Sequence, residues 1–246
     1  MVSRQPIVAI DGPAGTGKST VAKLAAERAG LQFISSGSMY RAVALFSLRQ
    51  GISVTDREAL TGLAKRLSFQ FTTDAAGTVH TIVDGEDVTE ALRQPEVGEL
   101  ASTVATIPEL RAELVAKLQA YGRDGGVVME GRDIQTVVFP DAEIKVFLTA
   151  SDEERARRRW KELLARGQAV DFTDVLAEVR DRDTRDVGRE ASPLRAAANA
   201  ICIDTDGRTI TEVVDSLLHI IETWRKHPDL RGERLASAAG FTREMC

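Results

Sequence analysis

The sequence predicts an α/β protein in which a parallel sheet, flanked by helices, is interrupted by a small antiparallel insertion. Three observations lead there. Short apolar runs alternate with segments of helical spacing, the pattern of successive βα units. A glycine-rich turn separates the first apolar run from the first helix. From about residue 55 the texture changes to alternating strands around a turn signal.

The first strand is read at Pro6-Ile7-Val8-Ala9-Ile10, and the first helix carries Val21, Leu24 and Ala25. Leu31-Gln32-Phe33-Ile34 gives a second strand, and Met39, Val43 and Phe46 predict a helix that stops near Gly51. Beyond Thr55 a short helix precedes Ser68-Phe69-Gln70-Phe71, a turn at Asp74-Ala75-Ala76-Gly77, and a run from Thr78 to Val83 before Asp84-Gly85. That is the signature of an antiparallel hairpin. A helix with Leu110, Leu114 and Leu118 leads to strands at Val127-Val128-Met129, Ile144 to Leu148, and Ile201-Cys202-Ile203, which complete the parallel core. The last helix shows an apolar stripe of Ile210, Val213, Val214, Leu217, Leu218 and Ile221, predicted to pack on the sheet and to end by Pro228. The tail after it reads as polar and weakly structured. The chain is thus one folded unit, with a core at about 5–54 and 106–226, an insertion at about 55–105 and a tail at 227–246.

A chain of 246 residues buries a cooperative core easily, and 43% hydrophobic with 28% charged residues excludes the composition of a disordered chain. The formal charge of -5 argues against bulk binding to nucleic acid or an anionic membrane, but leaves room for arginine clusters that hold a small anion. The partner is expected to be small. Two cysteines, Cys202 and Cys246, predict neither a disulfide framework nor a cysteine metal site, and a reducing cytoplasm is the simplest setting. No apolar signal segment follows Met1, and no stretch reaches the roughly 20 apolar residues of a membrane span. The expectation is a cytoplasmic monomer with no nucleic-acid or membrane partner. His80 and His219 lack metal-spaced partners and read as structural.

Gly12-Pro13-Ala14-Gly15-Thr16-Gly17-Lys18-Ser19 matches the phosphate-loop pattern G-x-x-x-x-G-K-[ST], after a strand and before a helix as the motif demands. The glycines let backbone N–H groups converge on phosphate oxygens, and the helix that follows presents its positive end to the same anion. The motif points to ATP, with Lys18 bridging the β- and γ-phosphates, Ser19 ligating Mg²⁺, and Thr20 completing the donor set. The motif alone does not separate a kinase from a switch or a motor.

Arginines gather in three further places. Arg182, Asp186 and Arg189 lie at i, i+4 and i+7, one face if the helix continues that far. That face either binds ribose and phosphate or is a solvated helix laced with ion pairs. Glu130-Gly131-Arg132-Asp133 follows an apolar strand, where ligands of open α/β sheets gather. The run from Ser151 to Arg159 opens with an N-cap and an acidic first turn, then sets Arg155, Arg158 and Arg159 along one side. These arginines read as a basic flap over the γ-phosphoryl group or, through pairs such as Glu154 with Arg158, as a solvated face.

Together these motifs resemble the bacterial cytidylate kinase family. The resemblance rests on Ile10-Asp11-Gly12-Pro13 through Ser19, Ser36-Gly37-Ser38-Met39-Tyr40-Arg41, Gly131-Arg132-Asp133-Ile134 and Thr136 to Ala142, TVVFPDA, and spans roughly residues 5–224. It implies a P-loop core, an acceptor-binding insertion containing the hairpin, and a short lid near 155–168. Carried over by motif, Arg41 and Arg132 are implied to hold the acceptor phosphate with Ser36 beside them, and Ser102, Arg111 and Asp133 to read cytosine. Arg182 and Asp186 are implied to contact ribose, and Arg189 to lie near the phosphates. The catalytic charges would be Lys18, Arg132, Arg158 and Arg159. The chain departs from the family pattern at Ser35, where an Asp is usual, at Ala14, where some relatives have Ser, and at Gln135, where Gly is customary.

The reaction implied is transfer of the ATP γ-phosphoryl group to CMP or dCMP, assisted by Mg²⁺. An anionic phosphate acceptor needs alignment and charge neutralisation and no general base. The rivals are a sibling kinase acting on UMP or AMP, which the Ser35 departure keeps open, and a non-enzymatic nucleotide switch, which would not need the acceptor arginines.

Overall fold

The computed structural model describes residues 5–241; the readings that involve Met1 and Cys246 lie outside the described residues. Five strands form a parallel sheet in the order β2-β6-β1-β7-β8. They are β1 (Ile7–Asp11), β2 (Gln32–Ser35), β6 (Val127–Gly131), β7 (Ile144–Thr149) and β8 (Ile201–Asp204). All are short; β1, β6, β7 and β8 are rich in apolar and β-branched residues, as strands covered on both faces should be, while the edge strand β2 has polar Gln32 and Ser35 at its ends. Their side chains alternate: Ile7 and Ala9 of β1 enter one apolar layer, while Val8 and Ile10 enter the other. Register then levels the strand ends, with Asp11 opposite both Gly131 and Phe147, and Ser35 opposite Glu130. The residues predicted for the site leave the sheet together at this edge.

One face of the sheet is covered by α1 (Lys18–Ala29) and α8 (Ile210–Lys226). The helix α8 opens with a capping box, in which Thr209 and Glu212 satisfy each other's orphan backbone donors. Its stripe packs inward as expected except at Ile210, which stands in the first turn and is 51% exposed. The opposite face is covered by α2 (Ser36–Gln50) and α5 (Pro108–Gly122). Between them lies the inserted stretch: α3 (Arg57–Arg66), the hairpin β3 (Phe69–Thr73) and β4 (Val79–Val83), a two-residue strand β5 (Glu86–Asp87), a 3-10 turn at Ala91–Arg93, and α4 (Pro95–Val104). Leu60, Leu63, Val83 and Val97 from the insertion share one continuous apolar cluster with Met39 and Val43 of α2 and Leu110 and Leu114 of α5. The insertion is therefore anchored to the core through buried side chains. The helices α6 (Asp152–Ala165) and α7 (Phe172–Val187) pack as a hairpin with an apolar cluster of their own, formed by Ala156, Leu163, Val175 and Val179.

The structure corrects two readings. The tail is not weakly structured throughout: α9 (Gly232–Ala238) returns to the sheet face covered by α8, burying Leu235 and Ala239. A seven-residue helix with one buried anchor, Leu235, and a second at its C-cap, Ala239, leaves no periodic signal in the sequence. The helix carrying Arg182 and Asp186 ends at Val187, so Arg189 sits beyond it in the following turn.

Candidate active site

The loop from Gly12 to Gly17 joins β1 to α1, and two glycines are fixed by close approach. A Cβ on Gly12, at φ 150°, would overlap the Leu148 carbonyl; one on Gly15, at φ 81°, would meet the Arg155 Cβ at 2.9 Å. Lys18 is buried and folds back over the loop, where its Nζ donates to the Pro13 carbonyl at 2.7 Å. Burial pushes the Lys18 ammonium well below the usual lysine range; Arg132 adds repulsion, while Glu130 and Asp11 oppose both. A phosphate placed here would replace a neutral carbonyl with a full counter-charge. Ser19 Oγ donates to Glu130 Oε1 at 3.0 Å, and Ser35 Oγ donates to the same oxygen at 2.5 Å. The residue that departs from the family pattern thus meets the carboxylate that faces the phosphate loop.

Three predicted arginines, Arg132, Arg182 and Arg189, converge around Asp186, which is 1% exposed. Arg132 Nε donates to its Oδ2 at 2.7 Å, and Arg189 donates to its Oδ1. Burial works to raise the Asp186 pKa, but Arg132 and Arg189 outweigh it and hold the carboxylate below its usual range. Arg182, a helical turn away, is not bonded to Asp186. Burial, with Arg132 adding repulsion, pushes Arg182 down to about 10, and its Nε has no hydrogen-bond partner. Arg41 is tethered by Nη1 to the Leu92 carbonyl at 2.8 Å, and burial pushes it below the usual arginine range, with Arg159 repelling it further. Lys18, Arg41, Arg132 and Arg182 thus crowd positive charge into partly desolvated space. Burying like charges together is costly unless an anion joins them.

A second group lies between α2, α4, α5 and the end of β6. Arg111 donates through Nη2 to Asp133 and through Nη1 to the Ala105 carbonyl at 3.0 Å, and its guanidinium stands 5.2 Å from the Tyr40 ring centroid. Ser102 Oγ, Tyr40 Oη and Arg111 Nε are buried without a hydrogen-bond partner. Three unpartnered polar atoms beside a buried ion pair are costly in a dry core and suit a polar ligand edge. Ser36, the first residue of α2, is buried against Gly131, where a Cβ would overlap its hydroxyl.

The predicted lid arginines separate. Arg158 donates to Glu154 Oε1 at 3.1 Å and to Thr205 through both terminal nitrogens, at 3.0 Å to Oγ1 and 2.6 Å to the carbonyl. Arg159 is paired with Glu162 at 3.4 Å on an exposed side. Arg155 is the lid arginine on the phosphate loop: buried, it donates to the Ala14 carbonyl at 3.1 Å and to Asp152 and Asp183 at 2.5 Å each. Sequence reasoning placed all three along one helix side and, by resemblance, chose Arg158 and Arg159 as the catalytic charges, leaving out Arg155, the one that meets the phosphate loop. It also passed over Tyr40, Glu130 as a partner of Ser19, and Asp11, a fully buried carboxyl ending β1. The available signal was an acid closing an otherwise apolar strand, at Asp11 and again at Glu130.

A separate cleft of about 310 Å³, lined by Pro140, Lys145, Asn199 and Arg231 among others, opens at the N-terminal end of β7. It lies away from the strand ends that carry the phosphate loop.

The sequence model described as cytidylate kinase matches residues 8–223. A cytidylate kinase of Pelotomaculum thermopropionicum is 49% identical over 221 residues, covering 90% of this chain and 98% of that protein. One of Stutzerimonas stutzeri is 46% identical over 220 residues, covering 89% and 96%. A bifunctional pantoate ligase/cytidylate kinase of a Synechococcus strain is 49% identical over 217 residues, covering 87% of this chain and 40% of that longer protein. With a family match across most of its length and relatives of this identity over nearly their whole chains, the protein belongs to the cytidylate kinase family.

Proposed function

We propose that this protein transfers the γ-phosphoryl group of ATP to CMP or dCMP, giving ADP and CDP or dCDP. The observation that carries the proposal is the excess of positive charge at buried Lys18 and half-buried Arg41, Arg132 and Arg182, set beside the polar pocket of Ser102, Arg111 and Asp133. In the proposed cycle the loop from Gly12 to Thr20 cradles the ATP phosphates, and Lys18 exchanges the Pro13 carbonyl for phosphate oxygens. Arg41, Arg132 and Ser36 hold the acceptor phosphate, Arg182 and Asp186 contact the ribose, and Arg189, paired with Asp186, lies near the phosphates. Asp133 accepts from the cytosine amine, and Arg111 and Ser102 meet the ring nitrogen and carbonyl. An oxygen of the acceptor phosphate bonds to the γ-phosphorus as the bond from that phosphorus to the β–γ bridging oxygen breaks, and ADP leaves with that electron pair. The acceptor is already anionic, so no side chain has to remove a proton.

Mg²⁺ supplies charge neutralisation across the β- and γ-phosphates when bound. The residues fit that ion: the Ser19 hydroxyl offers one oxygen and Glu130 stands behind it, while no group of three His, Cys, Asp or Glu side chains forms a cage among the described residues. Mg²⁺ in such sites is held largely by phosphates and water. Arg158 joins the reaction only by exchanging its bonds to Thr205 for phosphate, and Arg159 by leaving Glu162. We assign the enzyme to the cytoplasm as a monomer acting on small nucleotides, with no nucleic-acid or membrane partner. No helix among the described residues is long and apolar enough to cross a membrane.

The test is ADP release from Mg-ATP with and without CMP, with CDP identified as the second product. CMP-dependent ADP and CDP in equal amounts support the transfer. Nucleotide binding without CMP-dependent turnover would instead leave a switch.

A further inference from the structure

The segment that follows β6 begins with Arg132 and Asp133 and then closes into a single π-type turn at Ile134–Val138. The first N–H groups of such a turn have no partner within it and need an acceptor from outside. Asp133 stands at the position from which an aspartate ordinarily caps the next turn with its own carboxylate, yet it makes no such bond. Its carboxylate is turned to Arg111 instead. The missing cap is supplied by Asp11, 123 residues away at the end of β1: Oδ1 accepts from the Ile134 N–H at 2.9 Å and Oδ2 from the Gln135 N–H at 2.8 Å. Gln135 is held from the other side as well. Its side chain is 1% exposed, donates through Nε2 to the Val146 carbonyl at 3.1 Å and accepts from the Ala197 N–H at 3.0 Å.

We propose that Asp11 and Gln135 are positioning residues that set base selectivity, because they cap and clamp the turn and so leave the Asp133 carboxylate free to face the acceptor base. This rests on the proposed reading of Asp133 as the group that meets cytosine. The physical argument is one of competition. Two buried backbone donors without an acceptor would draw in the nearest carboxylate, and that carboxylate is Asp133, one residue before them. Asp11 removes the competition from a neighbouring strand, and it does so one residue before the glycine that opens the phosphate loop. The donor loop and the base-reading residue are thereby fixed to a single buried carboxyl. Gln135, which stands where the family pattern has glycine, ties the same turn to β7 and to the loop that follows Arg189.

The experiment compares Asp11→Asn and Gln135→Ala with the wild-type enzyme, reading kcat/KM for CMP and for UMP, KM for ATP, and the melting temperature. Assayed at pH 8, above the raised Asp11 pKa of about 7, the ionised carboxylate offers an acceptor to each N–H where asparagine offers one, so one turn N–H is released to compete for Asp133. The expected result is a fall of about tenfold in the CMP to UMP ratio of kcat/KM, the value of one misdirected buried hydrogen bond. KM for ATP should stay within about threefold, since no donor-loop contact is removed. Gln135→Ala leaves both Asp11 bonds in place and should give a smaller loss of the same kind; it decides the matter if Asp11→Asn does not fold. A lowered melting temperature with an unchanged CMP to UMP ratio in the folded variants overturns the proposal. Asp133→Asn run alongside separates the two levels. If Asp133→Asn also leaves the ratio unchanged, the cytosine-reading role itself fails; if it lowers the ratio and the clamp variants do not, only the clamp fails.

Discussion

Replacing Asp133 tests the reading of the base pocket, and the choice of substituent is dictated by burial. Asp133 and Arg111 are each 3% exposed and bonded to each other. Alanine at 133 would strand the Arg111 charge in a dry pocket, at a cost of about 3–5 kcal/mol, and a loss of fold would mask any effect on selectivity. Asparagine keeps the shape and one acceptor, and puts an N–H₂ where a carboxylate oxygen stood. Cytosine offers an amine donor to that position, and uracil a carbonyl. Asp133→Asn therefore weakens the match to CMP and relieves the mismatch to UMP. Each buried polar mismatch is worth about 1–3 kcal/mol, so the CMP to UMP ratio of kcat/KM should fall roughly tenfold to a hundredfold, chiefly through CMP. A coupled assay of ADP release at saturating Mg-ATP measures both substrates, with a thermal melt to establish that the variant is folded. Equal losses for CMP and UMP would refute the argument, because they would show that Asp133 supports the pocket without reading the base.

Lys18→Ala should abolish measurable transfer while the melting temperature stays within a few degrees, since this lysine acts on charge that develops in transfer; near-normal turnover would overturn the donor-site assignment. Arg158→Ala and Arg159→Ala should lower kcat more than they raise KM for CMP, and an unchanged kcat in both would leave them as bonds to Thr205 and Glu162 alone. Burial raises the Asp11 carboxyl to about 7, against the Ile134 and Gln135 N–H bonds and Lys18, with Asp133 adding repulsion. The unfolded chain gives up this proton near 3.8 and the folded chain keeps it to about 7, so this contribution to stability is full at low pH and lost as pH rises through 7. Denaturant unfolding of the wild type and Asp11→Asn should show their stability difference falling by about 3 kcal/mol from pH 5 to pH 8; a difference independent of pH would contradict it. Leu235→Ala, at a side chain 1% exposed in α9, should lower stability by about 2–4 kcal/mol without changing KM for CMP, as the tail packs on the face away from α2 and α5.

The sheet and its helices were legible because apolar runs of four to six residues and stripes of helical period report burial directly, as β1, β7 and α8 show. The phosphate loop was legible because glycine, lysine and serine at fixed spacing between a strand and a helix have few other uses. Helix α9 was not, for one buried residue in seven makes no pattern. In the site, spacing put Arg182, Asp186 and Arg189 on one side of the chain; Asp186 pairs with Arg189 but also with Arg132, 54 residues distant, and Arg182 is left over. The lid arginines were legible as a basic run only; which of them turns to the phosphate loop depends on how α6 docks, and that is set by Arg155 finding Asp183 on α7. Asp11 and Glu130 were hidden for the same reason, their partners lying more than a hundred residues along the chain. Periodicity reports what faces the core, whereas a polar site is assembled from strand ends that only register brings level.

The most direct test of the account is a panel of CMP, dCMP, UMP and AMP at fixed Mg-ATP, compared by kcat/KM with the wild-type enzyme. The buried Arg111–Asp133 pair and the unpartnered Ser102 hydroxyl predict that CMP and dCMP are both used, that UMP is poorer by roughly tenfold or more, and that AMP is poorer still. UMP or AMP matching CMP would contradict it.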